Sequence, residues 1–392
     1  MFRTKNLLKL LGGTSVILNN ITDGKNLWEK GVILMRKKWS VGWGLEERCN
    51  MHCEFCYSKA VRKKESKFKF STYIKFIDSN HDSIASINYG TGENSLSNLW
   101  FDLVEYIGKN YPHIKQALTT NGYISKACLD SHKLSVCANY IDEIDISLDF
   151  AQKERHNRFR GNADAYDLAI STLELCKVYG KKATVVFLGT NEVVQPVNLE
   201  GIFEIAGKYN AYLRTNIFRP TQGINDESHK FILGYENLID MLKWVSKEHK
   251  IVNVNDQLLS AVLFNKKTID RSGQMSLRIL GDGSITPSTY LISEKYRKYN
   301  IKMEKLNLAD IDFSDLIMPE CVPDFCLKCS YVGYCKGGVY DRRILWYGSL
   351  HEHDPYCPLR YPKIKLDSIL LTENEDFSSV HDGYLPTIFF EV

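Results

Sequence analysis

Three cysteines, Cys49, Cys53 and Cys56, stand in the run CNMHCEFCY with C-x3-C-x2-C spacing. Thiolates this close can hold three irons of a cubane cluster and leave the fourth open to an external ligand. Iron–sulfur clusters normally take one cysteine per iron. The missing fourth ligand therefore points to a cluster that binds a substrate rather than one that only passes electrons. Two other readings use the same residues. Zinc favours short C-x2-C pairs and could borrow His52, although that side chain adjoins Cys53 and can hardly share its metal. The three could also be plain buried thiols.

A second group comprises Cys321, Cys326, Cys329, Cys335 and Cys357. Within it, C-x2-C-x5-C followed 22 residues later by Cys357 offers four thiolates. That is the complement of a fully ligated [4Fe-4S] cluster or of a structural zinc site. Cys321 is left unassigned, as a spare thiol, a hydrogen-atom donor or an alternative ligand. Cys128, Cys137 and Cys176 are scattered and read as small core residues.

The elements that must position the first group follow from the apolar pattern. KWSVGWGL, SIASINYG, IKQALTT, IDEIDISLDF, KATVVFLG and AYLRTNIF read as strands from their β-branched and aromatic content, with amphipathic helical stretches between them. This β/α order predicts an α/β fold with a parallel sheet, and six units predict a partial (β/α)6 TIM barrel over residues 38–255. Such barrels place their chemistry at the C-terminal ends of the strands, and the first cysteine motif follows the first strand. MSLRILGDGSITPSTYLI reads as an antiparallel hairpin turning at Gly281, Asp282 and Gly283. The expected organisation is an N-terminal extension over 1–37, the barrel, a second domain over 256–370 and a C-terminal tail over 371–392.

Other strand ends carry polar residues. Gly90, Thr91, Gly92 and Glu93 follow the second strand, where a glycine turn allows close backbone approach and a carboxylate could bind an ammonium group. Asn121 ends the third strand. Ser147 and Asp149 end the fourth and, at alternating positions, would share a face. Turn capping is the simpler reading of both. Arg158 and Arg160 lie in HNRFRG, which could equally be a solvated basic loop, and Arg214 and Asn216 are further pocket candidates on the sixth strand.

Composition excludes several classes. The chain has 392 residues, 25% charged and 44% hydrophobic, with a net charge of +3 that is too small to imply nucleic acid. No stretch approaches the roughly 20 apolar residues of a membrane span, and the N-terminus lacks a convincing signal peptide. A cytoplasmic protein is expected, and there its eleven cysteines suit metal or chemistry better than disulfides.

The segment from Cys49 to Tyr57 resembles the signature of radical S-adenosylmethionine (SAM) enzymes. The resemblance implies a [4Fe-4S] cluster on Cys49, Cys53 and Cys56, with SAM on the open iron and Phe55 packed near its adenine. It implies reductive cleavage of SAM to a 5′-deoxyadenosyl radical that abstracts a substrate hydrogen. Gly90 to Glu93 resembles the family's GGE motif, which holds the SAM amino group, with Thr91 in place of its first glycine. Asn121, Ser147, Asp149, Arg158, Arg160 and Arg214 become candidate SAM or pocket contacts, with ribose for Ser147 and Asp149 and the SAM carboxylate for one of the two neighbouring arginines.

Residues 321–357 resemble the SPASM domain, which normally carries two auxiliary clusters, and Gly337 and Gly338 match its glycine pair. Val339 stands where that pattern has a cysteine, Ser288 follows Pro287 where it has another, and none stands near Asp270 to Gly273. All three losses fall on the first auxiliary cluster. The expectation is therefore a SPASM/twitch-like domain with one auxiliary [4Fe-4S] cluster on Cys326, Cys329, Cys335 and Cys357, for two clusters in total.

SPASM-type enzymes commonly modify ribosomally made peptides. The stretch from Arg36 into the first cysteines and on to CYSKAVR is similar to maturases of peptides with nitrogen-fixation-type or nitrile-hydratase-type leaders. That group includes spliceases that excise tyramine at a Tyr-Gly site and leave an α-keto-β-amino acid. The resemblance implies a precursor peptide substrate and an electron donor such as flavodoxin or ferredoxin. Residues 1–37 are too few for a leader-recognition domain, so a separate recognition protein is expected, the alternative being leader docking on the chain itself. A dehydrogenase or C–C or C–S bond-forming enzyme on another peptide or a small molecule would share every SAM residue. A non-enzymatic metal-binding scaffold is the remaining class.

Overall fold

The computed structural model describes residues 37–59, 68–372, 374, 376–382 and 384–392. The extension expected over 1–37 lies, but for its last residue, outside them. All six strands read from the apolar pattern form: β1 (Trp39–Trp43), β2 (Ile84–Tyr89), β3 (Lys115–Thr120), β4 (Glu143–Ser147), β5 (Lys182–Gly189) and β6 (Tyr212–Ile217). They pair in sequence order and in parallel. Helices cross between them and pack an apolar stripe on the sheet. Asn98–Asn110 buries Trp100, Leu103, Val104 and Ile107, three to four residues apart. Cys128, Cys137 and Cys176 are buried in this core.

Alternation sorts the strand side chains. In β4, Ile144 and Ile146 join the apolar core. Glu143, Asp145 and Ser147 lie on the opposite face, where Asp145 meets Arg214 of β6. Two strands apart in the sheet, these side chains touch because the sheet curls around a polar interior.

The sheet continues beyond the six parallel strands. The expected hairpin forms as β8 (Ser276–Ile279) and β9 (Ser284–Thr286), with Ile279 opposite Ile285. β8 also pairs in parallel with β1, which the local pattern did not foretell. β7 (Lys250–Val254), β10 (Tyr299–Asn300) and β11 (Ile388–Glu391) complete eleven strands in the order β10-β9-β8-β1-β2-β3-β4-β5-β6-β11-β7. Residues 38–392 form one compact unit.

The stretch 371–392, expected as a tail, is part of this sheet. β11 lies antiparallel between β6 and β7. Ahead of it, Ser379 Oγ and Val380 N donate to the Glu143 carboxylate at 2.7 and 2.9 Å, and Tyr384 Oη lies 2.6 Å from Thr289 Oγ1. The segment thus crosses the inner face of the sheet. At Gly42 of β1 a Cβ would lie 1.5 Å from Tyr384 Oη, so glycine there leaves the tyrosine its place. No described helix is long and apolar enough to cross a membrane.

Candidate functional site

The loop after β1 is held from several sides. Glu46 is buried and accepts from Arg48 N at 2.8 Å and Arg48 Nε at 2.9 Å. Arg48 O accepts from Glu93 N at 2.8 Å, and Arg160 O accepts from His52 N at 3.1 Å. Asn121 Nδ2 donates to Cys49 Sγ at 3.5 Å, and Cys53 Sγ lies 3.5 Å from Arg160 O. Burial pushes the Cys53 thiol up to about 11. Cys49, Cys53 and Cys56 all line one cavity.

His52 is exposed and does not line this cavity, which removes the mixed zinc set. Among the described residues, neither cysteine group brings three sulfurs within 4.8 Å of one another. A tetrahedral zinc with Zn–S of roughly 2.3 Å needs sulfurs about 3.8 Å apart. A cubane places its ligands on separate irons and spreads them wider. The all-thiol, open-sided set fits the cluster.

Of the candidate residues, Phe55, Gly90, Thr91, Gly92, Asn121, Ser147, Arg160 and Arg214 line the same cavity. Phe55 stacks on Phe159 at 4.3 Å, with the Arg160 guanidinium 5.1 Å from its ring centre. Thr91 adopts φ 84°, a strained conformation for a β-branched residue, and its hydroxyl lies 3.3 Å from Tyr57 Oη. Gly92 has φ 60°, and a Cβ there would lie 2.2 Å from Glu46 O, so this turn admits only glycine.

Three candidates are placed otherwise. Glu93 is fully buried and absent from the cavity wall, because its carboxylate is already used. It accepts from Ser95 Oγ at 2.5 Å, Thr120 Oγ1 at 2.9 Å and Asn121 N at 2.8 Å. Burial raises its pKa against those donors. Asp149 lies past the end of β4, so the strand alternation that pairs it with Ser147 no longer applies. It accepts from Arg160 Nε at 2.6 Å and Leu188 N at 2.9 Å, and it too lies outside the cavity wall. Arg158 is exposed and lines nothing there, leaving Arg160 as the arginine of the pair that reaches the site.

Several lining residues escaped the sequence reading. Asn88 sits two residues before Gly90, buried, with neither amide atom hydrogen-bonded. A polar residue in phase with the glycine turn was the available signal. Arg278, Tyr290, His381 and Tyr384 arrive from the hairpin and the C-terminal segment, which no local pattern ties to the cysteines. Burial, with the Arg214 charge beside it, pushes His381 down to about 3, so it is neutral.

The second cysteine group lies away from this cavity. Cys326 and Cys335 are buried, Cys329 and Cys357 half-buried. Burial, then the neighbouring Cys357, pushes Cys326 up to about 11. Cys335 feels both Cys357 and Cys326. Cys321 stands apart, its sulfur 3.5 Å from Leu350 O. The loops around the four are tied down by Arg342, fully buried between Asp354 at 2.6 Å and Asp256 at 2.5 Å. Asp354 Oδ2 also accepts from Val339 N at 3.0 Å. The positions lacking cysteines carry a polar network instead. Ser288 Oγ donates to Asp341 at 2.8 Å, Arg219 Nε donates to Asp341 at 3.1 Å, and Tyr340 N donates to Asp270 at 3.0 Å.

Residues 46–197 match the model of the Radical SAM superfamily. The chain is 25% identical over 370 residues to Fe-coproporphyrin III synthase of Methanosarcina barkeri (strain Fusaro / DSM 804), covering 84% of this chain and 90% of that protein. Its fold is similar to Streptococcus suis SuiB bound to S-adenosylmethionine, with TM-score 0.63, 14% identity, and 82% and 77% of the two chains covered. SuiB bound to precursor peptide SuiA gives TM-score 0.63 at 16% identity over 90% and 86%. Native anSMEcpe with bound AdoMet and Cp18Cys peptide gives 0.63 at 18% over 83% and 95%. The matched segment contains the three cavity cysteines and the turn after β2. Residues 46–197 are a radical SAM domain, which implies SAM and a SAM-binding [4Fe-4S] cluster, set in an α/β fold with a parallel sheet.

Proposed function

We propose that the chain is a radical SAM maturase of a ribosomally made peptide. The observation that carries the reading is the convergence of an open three-thiol set and five successive strand ends on one cavity inside the matched domain. Fold neighbours that hold peptides, SuiB with SuiA and anSMEcpe with Cp18Cys peptide, support the substrate class.

When bound, the cluster and SAM supply an electron and a 5′-deoxyadenosyl radical that takes hydrogen from the substrate. Cys49, Cys53 and Cys56 hold the cluster, and Asn121 orients the first of these sulfurs. Phe55, braced on Phe159, offers a face to adenine. The backbone of Gly90, Thr91 and Gly92 receives the amino group, with Glu93 as the brace behind the turn. Arg160, itself fixed by Asp149, reaches the SAM carboxylate, and Ser147 and Arg214 extend the pocket wall. Cys326, Cys329, Cys335 and Cys357 hold one auxiliary [4Fe-4S] cluster in a reduced SPASM-type region over 256–370. The finer activity we propose is excision of tyramine at a Tyr-Gly site, with a separate leader-recognition protein and a flavodoxin- or ferredoxin-like donor in the cytoplasm.

Anaerobic reconstitution, iron analysis and a 5′-deoxyadenosine assay test the core of this reading. About eight irons per chain fits two clusters, and a reconstituted protein that neither binds nor cleaves SAM refutes the mechanism. Mass measurement on Tyr-Gly precursor peptides tests the splicing step. The likeness to Fe-coproporphyrin III synthase supports a second reading, a non-peptide carboxylate substrate, which the same assay separates.

A further inference from the structure

Four arginines line the cavity: Arg160, Arg214, Arg219 and Arg278. Three carry their own counter-charge. Arg160 pairs with Asp149 at 2.6 Å, Arg219 with Asp341 at 3.1 Å, and Arg214 with Asp145. Arg278 differs. It is 1% exposed, yet no carboxylate of the described residues pairs with it. Its guanidinium donates to Gly90 O and, at 3.2 Å, to Tyr384 Oη, both neutral, while its Nε has no partner. A guanidinium has five N–H donors in a planar fork matched to carboxylate. Burying such a charge unpaired is costly, and a ligand anion removes the cost.

We infer that Arg278, steadied by Tyr384, is the recognition point for a carboxylate on a ligand of this cavity. The charge count selects the ligand class. Leaving aside the three thiols, the pairs at Arg160, Arg214 and Arg219 cancel, so one positive charge is left over. That matches a monoanionic carboxylate, such as an acidic side chain or a free C-terminus, better than a doubly charged phosphate. Substrate is the favoured source, since Arg160 already stands beside Cys53 and Phe55 for the carboxylate of SAM. This deepens the proposed function and rests on its assignment of the cavity.

The test uses the reconstituted full chain with butyrate and its uncharged isostere butyramide, by thermal melting with and without SAM. Butyrate is expected to raise the melting temperature by about 2–4 °C more than butyramide. Arg278→Gln is expected to erase that difference without melting lower than the wild type. If butyrate adds to the effect of SAM and the variant binds SAM within about threefold, the carboxylate belongs to the substrate. If butyrate competes with SAM and the variant loses tenfold or more in SAM affinity, it belongs to SAM. Equal response of the wild type to both probes overturns the inference whatever the variant does. So does an Arg278→Gln protein that melts far lower or still prefers butyrate, because the arginine is then a strut. Absence of 5′-deoxyadenosine from the wild type sinks the proposed function instead and leaves the melting comparison to stand or fall separately.

Discussion

The two cysteine groups use similar short spacings but meet different surroundings. Cys49, Cys53 and Cys56 sit on a loop whose sulfurs face a cavity shared with the strand ends. Cys326, Cys329, Cys335 and Cys357 sit in turns near the buried Arg342 ion network, with no share in that cavity. Three thiols on the cavity wall leave one iron of a cubane free for a ligand, whereas four thiols are enough to fill every iron. Spacing alone tells how tightly thiols cluster. What faces them differs, a ligand-sized opening in one case and an ion network in the other.

The largest expected effects lie in exchanging the fates of the two groups. Cys56→Ala should abolish 5′-deoxyadenosine formation. Cys329→Ala should lower iron from about eight to about four per chain while uncoupled SAM cleavage persists. A folded Cys329→Ala protein that no longer cleaves SAM would collapse the distinction. Next in size is Asp354→Ala, which leaves Arg342 paired to Asp256 alone and takes the acceptor from Val339 N, at about 3 kcal/mol, read from denaturant unfolding.

A pH effect probes the region where the cysteines are missing. Burial, with Asp341 nearby, pushes Asp270 up to about 6 from its ordinary 3.8. The folded state therefore holds this proton more tightly than the unfolded one. The contribution is present in full below about pH 4 and is lost as pH rises through about 6, by on the order of 2–3 kcal/mol. Asp270→Asn should flatten that slope in unfolding free energy between pH 4 and 6.

Glu93→Gln separates a brace from a ligand contact. It should lose about 1–3 kcal/mol of stability through its mismatched donors and keep SAM affinity within about threefold. A collapse of affinity with stability intact would return Glu93 to the ligand. The smallest effect is expected at Cys321→Ser, within about 0.5 kcal/mol and with iron content unchanged.

Much of this was legible in sequence because it is local. The strands show in β-branched runs, the first site in three cysteines within eight residues, and the glycine turn in its own residues. Glu93 was recognisable as part of a motif, but which way its carboxylate turns depends on Thr120 and Asn121, brought up by the next strand. Asp149 failed for a related reason: alternation orders side chains only while the strand lasts. Arg278, His381 and Tyr384 were invisible because parallel pairing of β8 with β1 and insertion of β11 join segments remote in the chain. Nothing in a short window encodes such pairings.

The meeting of Tyr384 with Gly42 also bears on folding kinetics. It joins positions more than three hundred residues apart, and contacts of such sequence separation form late because a long loop must first be closed. Until that loop closes, His381 and Tyr384 cannot take their places on the cavity wall. The wall that these residues add to the cavity of Cys49, Cys53 and Cys56 therefore carries the entropic cost of a long closed loop.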